Sequence, residues 1–132
     1  MFLVLGCASL DKNECLHADW YAIGLEDGAR GRALERLGDH RRACAKHSVT
    51  PDAAACPQPQ AQNFIAGYNR GRELHEMHRQ LEQLNGEIGR IKAALKEGIA
   101  NPRTRGQEVE RLEALTREAE QLELHIQQAE RP

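Results

Sequence analysis

Aromatic side chains are scarce in this sequence: one Trp, two Tyr and two Phe among 132 residues. That excludes a thick aromatic core and leaves little stacking surface for bases. Long apolar runs are scarce too. Beyond the first residues, none approaches the ~20 apolar positions that a membrane-spanning helix needs. Charge of one sign is lacking. Eighteen Lys and Arg face twenty Asp and Glu, for a net charge of -2. The two signs interleave along the chain, so no nucleic-acid partner is expected. No alternating apolar pattern marks a β-strand. No dinucleotide fingerprint, P-loop or Ser-His-Asp set is present. No catalytic residue is therefore assigned, no enzyme is expected and no cofactor is implied.

What the chain does contain is charge, 29% of residues, arranged for solvated helices that each bury a narrow stripe. The expected fold is all-α, an antiparallel bundle of about three long helices. Asp11 and Glu14 have capping-box spacing. Asp19 suits the N-cap of a first helix over 20–47, with Ile23, Leu34, Leu37 and Cys44 on one stripe. Thr50-Pro51-Asp52 is a break, and ACPQPQ, residues 55–60, reads as a linker. A second helix is expected over 60–97. Its later part carries Leu74, Met77, Leu81, Leu84, Ile88, Ile91 and Leu95 in an a/d seam. Gly98 fits a C-terminal cap and Asn101-Pro102 a loop. A third helix from about Thr104 repeats the spacing with Leu112, Leu115, Ala119, Leu122, Ile126 and Ala129. The short loop favours an antiparallel coiled-coil hairpin of helices 2 and 3. The alternative sets those seams against another chain, as a homo-oligomer.

Glycines interrupt this pattern. Gly24, Gly28 and Gly31 fall in the first helix, and Gly67 and Gly71 in the second. Each costs about 1 kcal/mol relative to alanine in a helix interior. If the two helices run antiparallel, Gly28 and Gly31 meet Gly67 and Gly71 and permit close backbone approach. The competing reading makes EDG a turn that breaks the helix near residue 27. Asp27 shares the apolar stripe, and Arg70 or Arg72 would be its partner across the crossing.

Residues 1–7, MFLVLGC, resemble a bacterial lipobox, in which a cysteine is lipid-modified after signal-peptide cleavage. Leu5 and Gly6 suit the two positions before the cut, and Cys7 is the expected lipidation site. The basic n-region and full h-region of a signal peptide are not in these residues. Ala8 in place of the usual inner-membrane Asp favours the outer membrane. The expected segments are a truncated signal peptide over 1–7, a glycine-rich helical pair over 8–72, and a coiled-coil hairpin over 73–132.

The order Cys15, Trp20-Tyr21-x-Ile23-Gly24-x-x-Asp27-Gly28-x-x-Gly31, His40-x-x-x-Cys44, Pro51-Asp52 and Phe64-x-x-Gly67-x-x-x-Gly71 resembles a family of small bacterial envelope lipoproteins, known as a domain of unknown function. The resemblance covers residues 7–75. It implies a lipid-anchored, periplasm-facing envelope protein with no established activity. Two departures stand out. A segment with Cys56 and two prolines separates Pro51-Asp52 from the next aromatic residue. His75-Glu76-Met77-His78 stands where the family places another cysteine, so its cysteine pairing does not carry over.

Cys7 aside, three cysteines remain. Along a continuous first helix, Cys15 and Cys44 would be more than ~30 Å apart. Cys44 and Cys56 flank the following turn and are the expected disulfide in an oxidising compartment. His40, Cys44 and His47 share a helix face, and an alternative reading makes them a metal or redox-sensing site. The functional expectation is a non-enzymatic scaffold or interaction module of the envelope. It would be attached to the membrane through Cys7 and would contact an envelope protein partner.

Overall fold

The computed structural model describes residues 19–46 and 58–131. They form four α-helices: α1 (Trp20–Ala29), α2 (Arg36–Lys46), α3 (Gln58–Glu97) and α4 (Pro102–Glu130). The fold is all-α, with no strand among the described residues. Contacts divide the chain into two units between His75 and Glu76, and α3 runs through the division.

The first unit begins with Asp19, whose carboxylate accepts the Ala22 amide at 3.1 Å and caps α1. The expected helix over 20–47 does not run through; it stops after Ala29. The amides of Gly31 and Arg32 donate to the carbonyls of Gly28 and Asp27 at 3.0 and 2.9 Å. Gly31 has φ +70°, a conformation that costs side-chain-bearing residues energy. These bonds form a Schellman closure. The break foreseen near residue 27 therefore falls a few residues later, with Gly31 rather than EDG as its pivot. Tight turns through Ala33, Leu34 and Glu35 then start α2. Leu34, expected on the buried stripe, lies in this turn and is 44% exposed.

Because of the break, α2 folds back along α1. Arg36 and His40 reach Asp27, near the end of α1. One turn after His40, Cys44 packs in a cluster with Trp20, at the start of α1. The continuous helix from which a ~30 Å separation of Cys15 and Cys44 was drawn is therefore absent over residues 20–46. Cys15 precedes Trp20 by only five residues, at most ~18 Å of extended chain. Cys7, Cys15, His47 and Cys56 lie outside the described residues, so Cys15 and Cys56 both stay open as partners for Cys44.

Glycines of α1 and α3 do meet, but the helices run parallel, and the expected antiparallel register is corrected. A Cβ on Gly24 would lie on the Phe64 carbonyl and 2.9 Å from the Tyr68 amide nitrogen. On Gly28 it would meet the Tyr68 carbonyl and the Arg72 amide nitrogen. Reciprocally, Gly67 lies against the Tyr21 carbonyl, and Gly71 against the Leu25 carbonyl. Contacts advance together along both helices, which is the signature of parallel packing. The antiparallel expectation assumed one continuous first helix; with α2 as the return leg, α3 starts again in the direction of α1. Gly31 is not part of the crossing. It serves the turn and lies under the His75 ring.

The second unit follows the seams read from the sequence. From Met77 onward, every named seam position of α3 and α4 is buried or half-buried. Ile88, Ile91, Ala119 and Ile126 are the most enclosed. Arg111 pairs with Glu87, and His78 Nε2 meets Glu130 Oε1 at 2.8 Å, so α3 and α4 are antiparallel. Gly98 closes α3 with φ +97°. Asn101 caps α4, accepting the amides of Arg103 and Thr104, and Pro102 occupies the first turn.

Candidate functional site

The most unusual chemistry lies inside the first unit. Asp27 is 2% exposed and His40 is 4% exposed, both within a helical core. A carboxylate is rarely buried without partners, because desolvation costs several kcal/mol. Asp27 has three. His40 Nε2 donates to Oδ2 at 2.7 Å. Arg32 Nη1 donates to Oδ1 at 2.9 Å, and Arg36 Nε lies 3.9 Å from the same oxygen. The expected partners Arg70 and Arg72 are replaced by residues that the chain reversal at Gly31 brings back to α1. Arg70 instead bonds Glu73 on its own helix.

Aromatic rings enclose this hub. His40 makes edge contacts with Trp20 and Phe64, with centroids 6.4 and 6.0 Å apart. Phe64, fully buried, stacks on Tyr68. The Tyr68 hydroxyl donates to the Arg32 carbonyl at 2.6 Å, tying α3 to the turn. Across the same turn, the His75 ring bonds the Ala29 carbonyl at 3.3 Å. A histidine oriented by a carboxylate is one half of a general-base arrangement. Here its other nitrogen, Nδ1, is buried and has no hydrogen-bond partner among the described residues. The pair links α1 to α2 inside the core.

Of the residues singled out from sequence, the structure brings together Trp20, Gly24, Asp27, Gly28, His40, Cys44, Gly67 and Gly71 in one core. His40 was read as a metal-ligand candidate beside Cys44 and His47; its Nε2 is occupied by Asp27. Among the described residues, no group of three or more His, Cys, Asp or Glu could hold a metal ion. Arg32, Arg36 and Tyr68 were missed, and His75 was noted from the sequence but not as a partner of the turn. Their signal was the helix break: once Gly31 is a left-handed cap, Arg32 follows it and Arg36 opens the returning helix.

No helix among the described residues is long and apolar enough to cross a membrane. No curated protein and no solved structure matches the chain. Residues 19–75 match the model of a family described as a protein of unknown function (DUF2799). The match spans the glycine crossing and the Asp27 hub and ends at the division between the units. The first unit is therefore similar, over residues 19–75, to a domain of unknown function.

Proposed function

We propose that this is a bacterial cell-envelope lipoprotein, held in the outer membrane by acyl chains on Cys7 and facing the periplasm. Its role is that of a non-enzymatic scaffold, presenting helical surfaces to an envelope partner. The observation that supports the reading is Cys44, 3% exposed among Trp20, Phe64 and Tyr68, which we read as one half of a disulfide. Disulfides persist in oxidising compartments such as the periplasm and are rare in the cytosol. Cys56 or Cys15 completes the staple. A crosslink here would add about 3 kcal/mol by restricting the unfolded chain.

The lipobox-like MFLVLGC supports the anchor. Support for a scaffold comes from how the polar core is used. Asp27 and His40 bond each other in a closed helical layer, which is a structural use of those groups. The test is incorporation of a labelled fatty acid in bacteria producing the protein. Label is expected in the wild-type chain, and Cys7→Ser should remove both the label and the membrane association. A chain that stays unlabelled, or one whose label survives Cys7→Ser, would overturn the anchor.

A further inference from the structure

Charge balances over the whole chain but not along the second unit. Residues 90–105, around the hairpin turn, carry Arg90, Lys92, Lys96, Arg103 and Arg105 against the single acid Glu97, a net +4. All six are exposed. None of the five cations is in an ion pair among the described residues. The amino-terminal end of α4, with its partial positive charge, opens into the same turn. Residues 108–130 of α4 have the opposite balance. They hold seven glutamates and two arginines, a net -5.

The outer face of α4 has a composition of its own. At 100° per residue, Val109, Glu113, Glu120 and Leu124 lie within 60° of one another, about 120° round the helix from the seam of Leu112, Leu115 and Ala119. Val109 and Leu124 are 40% and 56% exposed, two of the large apolar side chains most open to solvent. The face therefore combines acids with exposed apolar groups, and the tip of the same hairpin supplies unpaired cations.

We infer that this hairpin binds a second copy of this chain, side by side and antiparallel. The basic turn of one copy would lie on the acidic outer face of α4 in the other. A two-fold axis satisfies both contacts at once, because each copy offers one basic end and one acidic face. Each copy also covers the other's Val109 and Leu124. An anionic surface, whether lipid or nucleic acid, is the weaker occupant. The cations would meet it together with the acidic α4 of a chain whose net charge is -2. The inference concerns residues 90–130 and does not depend on the anchor at Cys7.

The test is sedimentation equilibrium of the full chain carrying Cys7→Ser, so that acylation plays no part. A dimer is expected at about 0.1 M salt. Its association should weaken at least about tenfold by 1 M, where the screening length falls from ~10 to ~3 Å. A tip-reversed variant (Lys92→Glu, Lys96→Glu, Arg103→Glu) should be monomeric, and so should a face-reversed variant (Glu113→Lys, Glu120→Lys). Mixing the two should restore a one-to-one heterodimer, which also shows that both variants are folded. A monomer at low salt would overturn the proposal. So would a dimer indifferent to salt and to both reversals, or a monomer that co-sediments with phosphatidylglycerol vesicles through the tip.

Discussion

A methyl group added at residue 24 would collide with the Phe64 carbonyl of the neighbouring helix, and one added at residue 89 would meet nothing within 4 Å. The same substitution should therefore act with opposite sign at the two sites. Gly24→Ala forces two backbones apart and is expected to cost about 3 kcal/mol. Gly89→Ala improves helix propensity in open space and should stabilise the protein by about 0.5–1 kcal/mol. Denaturant unfolding of both variants checks the pair, and equal effects would refute the close crossing. Asp27 obeys a different rule. Removing a buried carboxylate strands the charges gathered around it, so Asp27→Ala should cost about 3 kcal/mol. A double-mutant cycle with His40→Ala should show coupling of about 1 kcal/mol or more. Additive losses would mean that the 2.7 Å contact contributes little.

Elements differ in how far the sequence determines them. The α3–α4 hairpin was legible almost to its ends, because its stabilising pattern is local and periodic. Each seam position repeats at three- or four-residue spacing, Gly98 closes one helix, and Asn101-Pro102 opens the next. Ile91→Ala should thus cost about 2–4 kcal/mol. Leu124→Ala, outside the seam and 56% exposed, should stay within about 0.5 kcal/mol in monomer stability. Thermal unfolding under monomeric conditions separates the two. The first unit was legible in its ingredients but not in its path. Gly28, Gly67 and Gly71 were read as places where helices touch and they do touch, Gly31 was read so and instead serves the turn, and Asp27, read as partly buried, is buried. Only one fact was missing: whether the chain continues through residue 31 or reverses there. Propensity says little on that point, because a glycine in a helix and a glycine in a left-handed cap look alike until the Asp27 and Gly28 carbonyls find their amides. The wrong choice carried two errors with it, helix direction and the partners of Asp27, and it removed the ground for setting Cys15 apart from Cys44.

At the scale of the whole molecule, the two units have separate physical characters. The first is held by backbone contact and a buried ionic hub, and it is the part that matches a domain of unknown function. The second is a seam-packed hairpin whose surface charge is divided between a basic turn and an acidic helix. Three of the five aromatic residues, Trp20, Phe64 and Tyr68, gather in the core of the first unit, and the second has no Phe, Trp or Tyr. The central claim joins them to one compartment: an acylated cysteine at the membrane and a disulfide in the first unit. Intact mass of the protein taken from the membrane fraction, with and without reductant and alkylation, tests both halves at once. The account predicts cleavage before Cys7, added acyl chains, and two thiols that alkylate only after reduction. An unprocessed N-terminus with every thiol free would contradict it.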